Sequence, residues 1–240
     1  GVGGPGRGRS RVLGWRAGRG GGVLGGARPR GAELDCIGVE IAPVVVELGE
    51  AYFELQRDQP GRVVLSGVDA RACLAGISPL QDLVIVDCYA NNVEIPAHLC
   101  SVEFFREALA VLAPGGFVAV NAAGFGLDDP VVASLSATLA QAAGQPILAL
   151  RIPFSRNCML FARKGQPVPR PGSKGWSFAG PVGKALLPSL ELPSAWRVVE
   201  PGVDPSGTEK APVLTDDLNP MDRLQRQSLR AGRERWVVGA

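Results

Sequence analysis

Three carboxylates stand where apolar strands run out. Leu83-Val84-Ile85-Val86 is four apolar residues in a row, three of them β-branched, and the run stops on Asp87. Such a run reads as a strand buried on both faces of a parallel sheet. Ligands of open α/β sheets bind beyond the carboxyl ends of the strands, so Asp87 is placed for chemistry, or else it caps the turn that follows. Leu34 to Ile41 reads as another strand, with Glu40 at its end. An acid there, about twenty residues after a glycine loop, is the device that grips ribose hydroxyls with both carboxylate oxygens. The plain alternative is an exposed acid at a strand end. A third strand, Arg62 to Ser66, leads through Gly67-Val68 to Asp69. A carboxylate in that loop can accept from an exocyclic amine and so select adenine. It can also cap a helix beginning at Ala70, and the two roles are compatible.

Other residues bear on the same place. In Gly18-Arg19-Gly20-Gly21-Gly22, glycines such as Gly20 and Gly22 would let the backbone approach a ligand closely. A helix N-terminus after them would favour anionic or hydroxyl groups. Tyr89, two residues past Asp87, can stack on a substrate. His98 is the only histidine; a surface or hydrogen-bonded structural role is preferred for it over that of a base. Cys88 has no evident cationic neighbour to lower its pKa and reads as a small packed residue.

The elements that must position these groups follow in order. Arg11 to Trp15 is a poor strand inside a basic leader in which twelve of the first twenty-six residues are Gly. Pro43 opens a helix running from Val44 to about Leu55, with Val45, Leu48, Tyr52 and Leu55 at helical spacing. A short helix follows Asp69 through Leu74. Ser101 to Leu112 is an amphipathic helix with Ser101 as N-cap and Phe104, Phe105, Leu109 and Leu112 on its apolar side. Phe117 to Asn121 is a fifth strand and Val131 to Ala143 a helix. Two strands, 146–152 and 157–162, are joined by so short a link that they must pair antiparallel. Trp176 and Trp196 are expected anchors in the Pro/Gly-rich stretch 166–213. Met221 to Arg233 is a last helix, with Asp216 and Asp217 as its expected caps. Strands alternating with helices before a closing hairpin predict a doubly wound, mostly parallel α/β sheet with an antiparallel edge, the architecture of class I methyltransferase-like Rossmann enzymes. The expected division is a Gly/Arg-rich leader over 1–30, a Rossmann-like domain over 31–165 and an extension with a terminal helix over 166–240.

Composition bounds the function. The chain has 240 residues, 46% of them apolar and 20% charged, an ordinary soluble globular make-up. Its net charge of +2 argues neither for nor against nucleic acid. No nucleic-acid partner and no metal is predicted. Five cysteines without a C-x-x-C pair point to reduced, mostly buried thiols in a cytoplasmic protein. No apolar stretch reaches the length of a membrane span, and the first residues lack the apolar core of a signal peptide.

At this level the chain resembles a family. Gly20-Gly21-Gly22-Val23-Leu24, Gly38-Val39-Glu40-Ile41, Gly67-Val68-Asp69-Ala70-Arg71 and Asp82 to Asp87, in that order and spacing, look like spermidine synthases. More closely they resemble the bacterial spermidine synthase-like proteins, some of which are fused to a membrane transporter segment. Ile95-Pro96-Ala97-His98-Leu99, Glu103-Phe104-Phe105 and Leu214 to Pro220 are of the same kind. The likeness covers about residues 18–163 and a patch near 214–224. It implies a transferase that moves an aminopropyl group from decarboxylated S-adenosylmethionine to a diamine, in the cytoplasm, with a homodimer as one arrangement. By the same likeness Glu40 holds the ribose, Asp69 and Ala70 meet the adenine, Gly20 and Gly22 line the donor, and Asp87 takes the proton from the attacking amine.

The chain also departs from the family. A second Asp expected three residues after the first is Ala90 here, and Val23 stands where the glycine loop would supply another acid. The family's N-terminal β-hairpin domain has no counterpart in these residues. Each lost charged hydrogen bond weakens binding of a dication by about 1–3 kcal/mol. Two alternatives therefore stand beside the aminopropyltransferase. One is a catalytically impaired module that binds an adenosyl ligand. The other is a methyltransferase using S-adenosylmethionine itself.

Overall fold

The computed structural model describes residues 10–15, 34–55, 60–89, 94–153, 155–173, 176, 188–202 and 211–237. Gly20, Gly22 and Ala90, and with them the glycine loop and the missing second acid, lie outside the described residues.

Among the described residues eight strands form one sheet: β1 (Ser10–Trp15), β2 (Leu34–Glu40), β3 (Arg62–Ser66), β4 (Gln81–Val86), β5 (Leu112–Ala123), β6 (Ile147–Arg151), β7 (Asn157–Arg163) and β8 (Trp196–Val199). Their order is β3-β2-β1-β4-β5-β7-β6-β8. β1 to β5 pair in parallel. β7 is antiparallel to both β5 and β6, and β8 is antiparallel to β6. The doubly wound, mostly parallel sheet closed by an antiparallel hairpin is thus as the sequence predicts. The hairpin folds back, so that β7 sits between β5 and β6, and β8 takes the edge.

β1 lies at the heart of this sheet, paired along its length with β2 and through Val12, Leu13 and Gly14 with β4, and Leu13 is fully buried. A six-residue segment of middling strand propensity holds this place because neighbours supply hydrogen bonds on both sides; tertiary context outweighs intrinsic preference. The sheet therefore reaches beyond residues 31–165 in both directions. Before them comes β1; after them come β8 and the buried Leu214, Met221 and Leu224, all three part of the main core.

Four helices matter here: α1 (Pro43–Tyr52), α2 (Val102–Ala110), α3 (Pro130–Ala143) and α4 (Met221–Val237). The main core joins Leu13, Val39, Val84 and Val118 of the sheet to Phe104 and Phe105 of α2, Leu135 and Leu139 of α3, and Leu224 of α4. A smaller cluster on the other face joins Val12, Cys36 and Val64 to Val46 and Leu55. Here one expectation fails: the buried side of α1 is Val46 and Gly49, while Leu48 is 48% and Tyr52 75% exposed. Several apolar stripes are open to so apolar a helix, and the tight link from Glu40 to Pro43 selects one by fixing the phase at which the helix starts.

Helix starts are set by side-chain caps. Ser101 Oγ accepts from the Phe104 amide at 3.1 Å, as expected of its position. Asp129 accepts from the Val131 and Phe125 amides and from the Ser228 hydroxyl, which ties α4 to the start of α3. At the start of α4 the capping oxygen is that of Asn219, which accepts from the Met221 amide at 3.3 Å. Asp216 is engaged elsewhere.

Candidate functional site

The register of the sheet brings two of the three carboxylates to one height. Gly38 of β2 and Ile85 of β4 both pair with Gly14 of β1. Glu40 and Asp87, each two residues further on, therefore end their strands level with one another and, by the two-residue period of a strand, on one face. Two strand spacings separate them, about 10 Å across the sheet. Asp69 arrives from the next strand outward. Gly67, at φ 74°, turns the chain out of β3 where a side chain would be strained. The Gly67 and Val68 amides donate to the Glu40 carbonyl, fastening this loop to the end of β2.

Each carboxylate has a distinct setting. Glu40 is buried, and its Oε1 accepts from the Ala42 amide at 3.1 Å, which ties the carboxylate to the turn that follows β2. Asp69 Oδ1 accepts from the Arg71 and Ala72 amides, and Oδ2 lies 3.0 Å from Nε2 of His98. Burial pushes the Asp69 carboxyl up, but the bond to His98, the Ala72 and Arg71 amides and the His98 charge together bring it below its ordinary value. What it caps is a tight turn and a single 3-10 turn, Leu74–Gly76, in place of the expected helix. Asp87 is half-buried, and its Oδ1 accepts from Asn121 Nδ2 at 2.8 Å.

The thiol of Cys88 reports on all three acids. Burial pushes it up, and repulsion by Asp87, Glu40 and Asp69 adds to that, leaving it at about 12. The thiol is thus unreactive at neutral pH, as its neighbours in sequence suggest. The level strand ends of Glu40 and Asp87 set two carboxylates on one face of the sheet, a setting that favours a cation. Tyr89 is held by its hydroxyl, which donates to the Asn121 carbonyl and accepts from the Ala123 amide, both at 2.7 Å. Only its ring is left to meet a substrate. Ala70, beside Asp69, is buried.

Behind the Asp69 loop lies an ion-pair hub that the sequence reading missed. Arg71 donates to both oxygens of Glu107 on α2, to both oxygens of Asp216, and to the His98 carbonyl. The segment that carries Asp216 is itself anchored, since the Leu214 amide donates to Thr138 and the Leu214 carbonyl accepts from Val102. Residues far apart in sequence thus clamp the loop that presents Asp69. Bonds from Arg71 and then Ser101 hold the Asp216 carboxyl down at about 2, from 3.8. A carboxyl lowered by folding stabilises the fold fully above its unfolded value and loses that contribution as pH falls toward the folded value. The clamp's contribution should therefore fade between about pH 4 and about pH 2. With Arg71 and Asp216 21% and 40% exposed, the screened effect is about 1 kcal/mol. Melting temperatures of Asp216→Asn across that range should show the wild-type advantage shrinking as the solution is acidified; an advantage independent of pH would sink the assignment.

Among the described residues no group of three or more His, Cys, Asp or Glu is placed to hold a metal ion, and no helix is long and apolar enough to cross a membrane. Four of the five cysteines are buried, and none of the five is in a disulfide.

No family model matches the chain. A curated protein of Bifidobacterium longum strain NCC 2705, named a probable polyamine aminopropyl transferase, is 32% identical over 137 residues. The match takes in 55% of this chain but 29% of that protein, so the chain spans less than a third of its relative's length. A probable spermidine synthase from Corynebacterium glutamicum ATCC 13032 has the same fold, with a TM-score of 0.61 at 18% identity over 87% of this chain and 72% of that one. A spermidine synthase in complex with the transition-state analogue AdoDATO gives 0.55 at 17% identity over 65% of this chain and 55% of that one. The chain is thus similar in sequence to that probable aminopropyl transferase over 137 residues and has the fold of the spermidine synthases. The finer likeness to the transporter-fused branch has no counterpart in these comparisons.

Proposed function

We propose that this chain carries the donor and base sites of an aminopropyltransferase. Decarboxylated S-adenosylmethionine would be the donor, a diamine the acceptor and Asp87 the base. The observation that carries the reading is that Glu40 and Asp87 end their strands level and on one face, with the loop that bears Asp69 fastened to the end of β2. In its support, the donor is a sulfonium cation, and two carboxylates on one face favour cations. Glu40 is level with Asp87 and buried beside the Asp69 loop, so one ligand can meet Glu40 with its ribose and the Asp69–Ala70 turn with its adenine. Gly20 and Gly22 would line the aminopropyl end, and the ring of Tyr89 would face the acceptor.

The chemistry asked of Asp87 is modest. A protonated amine is not a nucleophile, so a carboxylate must hold it, orient it and take a proton. The neutral nitrogen then attacks the carbon next to sulfur. A C–N bond forms as the C–S bond breaks, the sulfur keeps the bonding pair and its charge is quenched, and the surplus proton leaves on Asp87. The products are the extended amine and 5′-methylthioadenosine. Release of 5′-methylthioadenosine that requires both decarboxylated donor and diamine is the test of this function.

Ala90, where a second acid is expected, favours a second reading: an adenosyl-binding module with weak or no turnover. It keeps donor-induced stabilisation and loses product release.

A further inference from the structure

The stretch 95–99 is held by three of its backbone carbonyls. Gln225 of α4 donates to the Ile95 carbonyl at 3.0 Å, Asn219 to the Ala97 carbonyl at 2.8 Å and Arg71 to the His98 carbonyl at 3.2 Å. The donors come from a helix, from the segment before it and from the Asp69 loop, so the backbone that bears His98 is fixed from separate directions. The imidazole meets the Asp69 loop, with Nε2 3.0 Å from Asp69 Oδ2. Asp69, its carboxyl held below its ordinary value, is ionised at neutral pH and can only accept. Nε2 therefore carries the hydrogen of this bond. Oδ1 is already filled by the Arg71 and Ala72 amides. Oδ2 holds the His98 bond and keeps one lone pair free. Both side chains meet solvent, His98 being 51% and Asp69 31% exposed, so a ligand can reach that lone pair.

We propose that His98 is a positioning residue for base recognition, fixing the Asp69 carboxylate so that the open side of Oδ2 meets the exocyclic amine of a 6-aminopurine. The proposal rests on the reading that the Asp69 turn meets adenine, and it names what orients Asp69 there. Held at both oxygens, the carboxylate cannot turn. A 6-oxopurine then sets its own oxygen against Oδ2, acceptor against acceptor, and is rejected. Without the imidazole only Oδ1 is anchored. The carboxylate can swing about that anchor and accept from the ring N1–H of the 6-oxo base instead, and the preference between the two bases goes.

The experiment measures Kd on the full chain, by calorimetry, for 5′-methylthioadenosine and for 5′-methylthioinosine, which has oxygen in place of the amine. Wild type should prefer the 6-amino compound by about 10- to 100-fold, the range of one hydrogen bond to a charged group. His98→Ala should cut that preference to about 3-fold or less, as that bond is no longer selective. His98→Gln, whose amide can donate to Oδ2 from the same backbone, should restore most of it. A merely structural histidine would weaken both ligands alike and leave their ratio where it was. A ratio in His98→Ala equal to that of wild type would overturn the proposal. So would a lost preference that glutamine does not restore, since the bond to Oδ2 would not be its cause. If wild type binds both compounds alike, or neither, the adenine reading falls first and this one with it.

Discussion

Asp87→Asn should lower the rate of 5′-methylthioadenosine release by about 10²- to 10⁴-fold, the usual worth of a positioned general base. The substitution changes almost nothing in volume, so the fold should survive it. It removes the carboxylate proposed to accept the amine's proton, and it sets an amide against Asn121 Nδ2, which now donates to the carboxylate. In the proposed reading donor binding rests on Glu40 and the Asp69 loop, which the change leaves intact. Stabilisation by the donor should therefore persist while turnover is lost. Initial rates at saturating donor and acceptor, with a melting curve on the same sample, give both numbers. Activity that survives the change would mean that another group is the base.

Leu13→Ala should cost about 2–5 kcal/mol of stability, the range for emptying a fully buried leucine site. Leu13 has no exposed surface and packs in the main core between β2 and β4. For a chain of this length that is a fall in melting temperature on the order of 5–15 °C. The size matters because Leu13 lies in a Gly- and Arg-rich stretch that reads as a leader. If residues 10–15 were dispensable, the substitution would be nearly silent in thermal unfolding.

The fold was legible because buried parallel strands announce themselves. Leu83 to Val86 is an apolar run ended by an acid, and Cys36 to Val39 is a shorter one that also ends on an acid; such runs have few other uses. Ser101 and the apolar positions Phe104 and Phe105 fixed α2 equally well. β1 was hard to read for a physical reason. Its hydrogen bonds come from two partners distant in sequence, and Arg11 and Gly14 within it lower its own propensity. β8 is shorter still and lies in a Pro-rich stretch. The carboxylates were visible as strand ends. The groups that hold them were not, since Arg71 meets Asp216 across 145 positions and Asn121 meets Asp87 across 34. No local pattern encodes such pairs. The position of Asn121 at the end of the fifth strand was the one available signal, because strand ends in this fold face the cleft.

One measurement bears most directly on the claim that Glu40, Asp69 and Asp87 form a single cationic-ligand site. It is the melting temperature of the full chain with decarboxylated S-adenosylmethionine and with S-adenosylmethionine, for wild type and Glu40→Gln. A ligand at about 100 times its Kd stabilises by about 2.7 kcal/mol, or several degrees here. The decarboxylated donor should raise the wild-type value by that much and more than the carboxylated one, with most of the gain lost in Glu40→Gln. No shift with either compound, or an equal shift in both proteins, would contradict it.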